Sequence, residues 1–451
     1  MAFLANNLAT SSLVLIAGMV LFIVLCFTKI PRIFSALFAV AVISLASVNG
    51  YLQSLMVDWI QGTGSVVTAY LLVMLTGAAV GAVMMATGCS DKLARAILNK
   101  VGRDKGPLVI MIICFVVLVS GNTGHTWVLL PVLLSICREC DMPRGIGMMA
   151  YVAMVQITQF DLVGIPGFPN VLVAQALGVS LYEVPVMSII EYIIGLVLVY
   201  IISMIFWKSA KRRGKGFEVV PEVDFYQVPE ERPDESLPSI WYAWMPVAIM
   251  VLGSFILNMG LGWSSTFSAV VPQWVAVVVL TLTSKKTWIG KEGQTKLQQI
   301  FASMEGVVPM MITTAAIGGM ATVISNTMAY DAAMTTLLNL NISPYLCAFL
   351  VVGGICVITC DGIVGMQVFL SAMAERFVSI PGINLGALHR VIVSTACTVD
   401  SLPYSSSAYM YCSVFGYSLK SGWKYQFLGT VFIPLCTALF AVIYSSIAWP
   451  C

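Results

Sequence analysis

The chain has 451 residues, 59% of them hydrophobic and only 10% charged, a usage that excludes an ordinary soluble protein and leaves lipid as the expected solvent. The net charge of +2 comes from short basic clusters set between apolar runs and not from one basic face, so nucleic acid is set aside as a partner. The 12 cysteines lie mostly in or beside apolar segments. Cys137 and Cys140 have CxxC spacing but no second pair or histidine set, so they are expected to be small buried hydrophobes and no metal site or cofactor is expected.

In chain order, the first apolar run, 10–28, lacks a basic leader and a small-x-small cleavage site, and is expected to be a membrane span and not a signal peptide. Further continuous spans are expected at 33–52, 67–87, 186–207, 241–259, 264–283, 299–324 and 424–447, each close to the roughly 20 residues that a helix needs to cross hydrocarbon. Between them lie four apolar stretches broken at mid-length by polar residues, Gly or Pro: 107–137, 145–177, 343–377 and 386–415. Their breaks fall at Ser120 to His125, Asp161 to Asn170, Thr359 to Gly362, and Asp400 to Ser407. A break frees backbone groups that hydrocarbon cannot satisfy, so it survives only inside protein or beside water.

The distribution of Lys and Arg gives an orientation. If 107–137 and 343–377 are re-entrant hairpins, and 145–177 and 386–415 are broken helices that cross, an N-terminus outside puts every basic residue of the 23 in the cytoplasm except Arg376 and Arg390. Both termini are then outside. The expected fold is an all-α integral membrane protein of about ten transmembrane helices, two of them broken, plus two hairpins. Each half (1–207 and 240–451) has an odd number of crossings, so the halves are inverted-topology repeats. A cytoplasmic linker, 208–239, joins them, and its acidic run at Glu230, Glu231, Asp234 and Glu235 is expected to be solvated.

Half-helix N-termini attract carboxylates, and unwound carbonyls hold cations. Candidate substrate-binding residues are therefore Asn122, Thr123, His125, Gly167, Asn170, Thr359, Ser405 and Ser406, with Gln367 nearby. Asp161, Asp361 and Asp400 are candidate ion-coupling residues, because a charge within a span costs about 2.5 to 3.5 kcal/mol and is seldom kept without use. The plainer alternative is that Asp161 and Asp400 cap the half-helices that follow. Glu191 and Glu305 are expected at the interface, and Arg390, beside His389, is expected to snorkel to the outer surface, the alternative being that it draws in anions. Small residues crowd Thr76 to Gly81 and Thr314 to Gly319, where close helix packing is expected and a sliding surface is the bolder alternative.

The stretches Ala387 to Arg390 through Asp400-Ser401-Leu402-Pro403 to Gly416, and Gly164 to Asn170, resemble the gluconate and hydroxybutyrate permease (GntP) family of the ion-transporter superfamily. The Asn122-Thr123 pair resembles the hairpin tips of dicarboxylate carriers in the same superfamily. The order of elements is similar along nearly the whole chain. What the resemblance implies is a symporter in a bacterial cytoplasmic membrane. It would import a small organic anion such as a hydroxy acid with protons or sodium, by elevator-like movement against a homodimeric scaffold. The sequence departs from the family where hydroxybutyrate-type members carry Pro-His-Asn-Gly and this chain has Pro403-Tyr404-Ser405-Ser406, and where Asp361 replaces a small neutral residue. A sodium/proton antiporter without organic substrate, and a passive channel, use similar features. An embedded enzyme is disfavoured, since no HExxH or GxSxG motif is present.

Overall fold

The structure, a computed structural model, describes residues 7–26, 28, 30–119, 125–165, 168–223, 232–284, 288, 293–338, 342–359, 362–399 and 401–450. Among these the regular elements are helices, and the one extended pairing is an isolated antiparallel bridge between Ser47 and Thr327. Six helical segments are long and apolar enough to cross a membrane: Leu8–Leu25, Pro185–Arg212, Ile240–Asn258, Thr266–Thr283, Lys296–Ser325 and Leu419–Ala448. A seventh, Tyr51 to Ala86, qualifies if its 41° bend is allowed within one span. The chain is thus a multi-pass membrane protein.

Helices α1 (Leu8–Cys26) and α2 (Arg32–Ile43) pack as a pair and lead to α3 (Trp59–Ala86), entered through a wide turn at Ser54–Asp58. Hydropathy alone starts this third span at 67; the helix begins earlier because Gly62 and Thr63, which dilute the apolar signal, pack against protein. A Cβ on Gly319 would lie 2.5 Å from Thr63 Oγ1 and 2.9 Å from the Trp59 carbonyl, and one on Gly62 would lie 2.3 Å from Thr322 Oγ1. The Trp59 indole donates to the Ala316 carbonyl across the same contact, at 2.9 Å. Gly319, at the end of the run Thr314 to Gly319, makes the close backbone approach expected there, with Gly62 and Thr63 as its partners on α3.

The amphipathic α4 (Cys89–Val101) has Asp91 in its first turn and Lys100 in its last, as the helix dipole favours. Helices α5 (Gly106–Leu118) and α6 (His125–Glu139) fold back on one another. Ile110 and Cys137, 27 residues apart, both reach the space beside Gly147. Gly147 belongs to α7 (Arg144–Gln156), which widens into a π turn at Ile157–Asp161 and ends there, to resume as α8 (Phe168–Leu177). The long α9 (Pro185–Arg212) completes the first half.

The second half begins with α10 (Ile240–Phe255), capped by the Ser239 hydroxyl, and α11 (Ser265–Thr283), capped by Ser264. Next come α12 (Lys296–Gly318), opened by a Thr295/Gln298 capping box, and the short α13 (Met320–Ser325) and α14 (Met328–Leu338). Helices α15 (Pro344–Thr359) and α16 (Gly362–Val378) also double back: a Cβ on Gly365 would sit 2.3 Å from Cys356 Sγ, whereas nine residues of unbroken helix would span about 13 Å. Helix α17 (Leu385–Thr398) breaks before α18 (Ser406–Val414), and α19 (Leu419–Phe427) passes through a π turn into α20 (Ile433–Ala448).

The linker is docked. Helix α9 takes its first residues, to Arg212. The stretch after it meets the base of α7 and the α18–α19 turn. Arg144 donates to the carbonyls of Phe415 (2.9 Å) and Val220 (3.1 Å), and the Glu222 amide donates to Gly416 O at 2.8 Å. Glu222 in turn accepts from the amide (3.0 Å) and hydroxyl (2.7 Å) of Ser418. Asp234, expected to be merely solvated, pairs with Arg95 at 2.6 Å, while Arg95 also pairs with Glu139 of α6 at 2.7 Å. Glu230 and Glu231 lie outside the described residues.

Candidate functional site

The first break is built from a helix that ends inside the protein. The last turn of α7 leaves the carbonyls of Gln159, Phe160 and Asp161 without the next helical turn, and residues from α8, α9 and α17 supply the donors. Arg390 Nη1 reaches Phe160 O (3.2 Å) and Asp161 O (3.4 Å), and the Ser188 hydroxyl also donates to Asp161 O. The Asn170 amide donates to Gln159 O at 2.6 Å and accepts from Arg390 Nη2. A cation at a helix C-terminus is the favourable sign of charge.

His389 is fixed by its partners. Nε2 lies 3.0 Å from the Asn170 carbonyl, which can only accept, and Nδ1 faces Arg390 Nε (3.2 Å) and Nη2 (2.9 Å), which can only donate. Those partners assign the neutral Nε2–H tautomer. Arg390 and Glu191, expected near the surface, are 1% and 0% exposed. The correction has a geometric cause. Both lie near the starts of their helices, roughly 8–9 Å along, but α7, α8 and α20 cover them there.

Glu191 accepts from the Ser394 hydroxyl through Oε1, and its Oε2 has no partner. Asp161, 0% exposed, has no hydrogen-bond partner on either carboxylate oxygen. The hydroxyls beside it, Thr437 and Ser394, direct their protons elsewhere, to Pro434 O at 2.9 Å and to Glu191. Asp161, Glu191 and Arg390 lie close enough to sense one another's charge, yet among the described residues no carboxylate makes an ion-pair contact with the guanidinium.

The second break lies beside the first. Gln156 Nε2 donates to Cys397 O at 3.3 Å, while Arg390 meets the end of α7 one turn farther on, so α7 and α17 cross antiparallel. Counting from that shared level to Asp161 and to Val399, the two breaks are staggered by about 10 Å. Ser405 caps α18, accepting from Ala408 N at 3.1 Å. Ser406, half-buried, faces α12, its hydroxyl 3.9 Å from where a Cβ on Gly318 would sit. One turn before Gly318 on the same face, the Thr314 hydroxyl is buried without a partner. Tyr404 donates to Val357 O of α15 at 3.0 Å and ties the second hairpin to this break.

The first hairpin joins the same assembly. His125 Nδ1 lies 2.8 Å from the Tyr151 hydroxyl, and Thr126 Oγ1 lies 2.6 Å from it. The Tyr151 ring meets Tyr411 of α18 (5.9 Å between centroids, edge-on) and Phe415 just after it (5.8 Å). Of the candidates, Asp161 and Asn170 meet at the first break and Ser405 and Ser406 at the second, with His125 of α6 against Tyr151 of α7. Asn122, Thr123, Gly167, Asp361 and Asp400, like the side chains of Thr359 and Gln367, lie outside the described residues. Asn170 is a strut within the break, with its amide and carbonyl engaged by protein. Sequence reasoning placed Glu191 and Arg390 at the interface, with attraction of anions as the alternative for Arg390, and gave Thr314 no part in the site. For the first two the available signal was a charged residue inside an apolar run, and for Thr314 a hydroxyl within a run of small residues.

A family model described as GntP family permease matches residues 10–447, nearly the whole chain. No curated protein sequence matches it.

Proposed function

The chain belongs to the GntP permease family, a family of transporters and not of enzymes, and on that premise we propose that it is a secondary active symporter importing a small organic anion together with protons. Its two halves act as inverted repeats about the linker, with the hairpins and broken helices moving, elevator-like, against the remaining spans in a homodimer. The membrane is a bacterial cytoplasmic membrane, with both termini outside.

The observation that carries the reading is the pairing of two interrupted helices inside protein, staggered and crossing antiparallel, with polar groups left over. At the N-terminus of α18, which Ser405 caps, the half-buried Ser406 faces α12, where the Thr314 hydroxyl, one turn before Gly318, is buried and uncommitted. That set suits a carboxylate with neighbouring hydroxyls. The first break suits a proton better than sodium. Its carbonyls already accept from Arg390, Asn170 and Ser188, and a guanidinium stands where a metal cation would have to sit.

Ligand-dependent stability tests this directly, since a ligand that binds only the folded state raises the unfolding temperature. D-gluconate, 3-hydroxybutyrate and short dicarboxylates are each added to purified protein, with and without sodium. At least one is expected to stabilise wild type without needing sodium, and to lose most of that effect in T314A/S406A. Stabilisation only with sodium would overturn the proton reading, and none by any organic anion would overturn the substrate class.

A further inference from the structure

The first break contains a charge imbalance that its hydrogen bonds resolve in one way. Arg390 is protonated at any accessible pH, and its five donors go to the two α7 carbonyls, the Asn170 amide and His389, all neutral. Its charge is therefore buried with no ion in contact, a state that costs several kcal/mol unless a counter-charge lies near. Among the described residues the groups facing this point are few. Helix α7 contributes Asp161, α9 contributes Glu191 and Tyr192, and α17 contributes His389. Helix α5 contributes Cys114 towards Tyr192, α20 presents the hydroxyl Thr437, and α8 has no titratable residue.

Two ionised carboxylates against one guanidinium would leave a net negative charge in a dry site, with three carboxylate oxygens accepting nothing. Two protonated ones would leave the guanidinium uncompensated. One proton balances the set. It also supplies the missing donor, because the hydroxyl protons of Ser394 and Thr437 are spent while their oxygens can still accept.

We propose that Asp161 and Glu191 form one proton-binding site, sharing a single proton balanced by Arg390, and that this is the proton the carrier loads and releases. The proton belongs to the pair and not to either residue. Loading adds it from water to a carboxylate oxygen and brings the set to neutrality. Release returns it to water and leaves one excess negative charge, so release requires water to reach the break. Arg390 and His389 are positioning residues and do not carry the proton. The assignment of the site as the coupling site rests on the symport reading above, whereas its proton count does not.

Infrared difference spectroscopy of the reconstituted protein, reading the carbonyl stretch of protonated carboxyl groups in light and heavy water, separates the two. Wild type near neutral pH is expected to show a buried protonated carboxyl component that vanishes in E191Q and equally in D161N, because the remaining acid then ionises to balance Arg390. The double variant is expected to lose no more than either single one. A component that survives in one single variant, a double variant that loses twice as much, or no such component in wild type overturns the shared proton. Both changes are isosteric, and circular dichroism with gel filtration verifies the fold. Should one variant fail that check, the alanine change at the same position takes its place, so that loss at both positions is still required and survival at either still overturns the shared proton. If the spectra behave as expected while both variants keep full proton-driven uptake of gluconate, the shared proton stands and its role in coupling falls.

Discussion

Replacing Arg390 with Met removes the one cation at the first break while keeping a long apolar side chain of similar reach. Two losses combine. The carbonyls of Phe160 and Asp161 lose a charged donor, and Asp161 and Glu191 lose their counter-charge. Truncating one partner of a buried charge set costs about 3–5 kcal/mol. Adding E191Q to R390M removes the acid that no longer has a balancing charge, leaving a site that a protonated Asp161 renders neutral. The double variant is therefore expected to be more stable than the sum of the single effects by about 0.5–3 kcal/mol, the range found for residues within one network. Denaturant or thermal unfolding of the four proteins in one detergent closes the cycle. Additivity to within about 0.5 kcal/mol would show that Glu191 and Arg390 are not coupled, and would refute the charge balance.

Three further outcomes follow from contacts elsewhere. Y151F deletes the hydroxyl that holds both His125 and Thr126, and is expected to cost about 1–3 kcal/mol and to raise hydrogen exchange at the start of α6; unchanged exchange there contradicts the tie. G429A places a Cβ 2.5 Å from Val152 Cγ2 and 2.7 Å from the Met149 carbonyl, a backbone atom that cannot rotate away, so a loss of about 1–3 kcal/mol is expected, and a neutral or stabilising result refutes the packing at the α19–α20 π turn. Burial pushes the Glu222 carboxyl up, but the hydroxyls of Ser421 and Ser418 and the Ser418 amide outweigh it and hold it below the usual glutamate range. Its contribution to docking the linker is thus full above the ordinary glutamate value, about pH 4.3, and is lost only as pH falls through the lower folded one. The Ser418 amide should keep its exchange protection from neutral pH to about pH 5 in wild type and lack it throughout in E222Q; early loss in mild acid contradicts the sign.

The apolar runs and their interruptions were legible because hydropathy and Gly or Pro placement are local properties. So α1, α9 and α20 appear where expected, and the breaks after Leu118, Asp161, Thr359 and Val399 fall where polar residues interrupt the runs. The start of α3 was not legible, since Gly62 and Thr63 gain their place from contacts with Gly319 and Thr322 at the α12–α13 junction, more than 250 residues away. Depth was misread for the same reason. Glu191 and Arg390 stand near segment ends, which in a lone helix means the interface, but here other helices cover those ends. Asn170 shows the limit from the other side. A polar residue after a proline-rich break resembles a ligand group, and only the positions of Gln159, His389 and Arg390 reveal that protein already occupies it.

The central claim is movement of an organic anion together with a proton through the paired breaks. Its most direct test is uptake of labelled D-gluconate into proteoliposomes under an imposed inward proton gradient, with external pH recorded at the same time. Accumulation is expected above the equilibrium level, with alkalinisation of the medium that depends on gluconate, both abolished by a protonophore and both lost in D161N/E191Q. Uptake that merely equilibrates and ignores the gradient, or proton flux that proceeds equally without any organic anion, would contradict it.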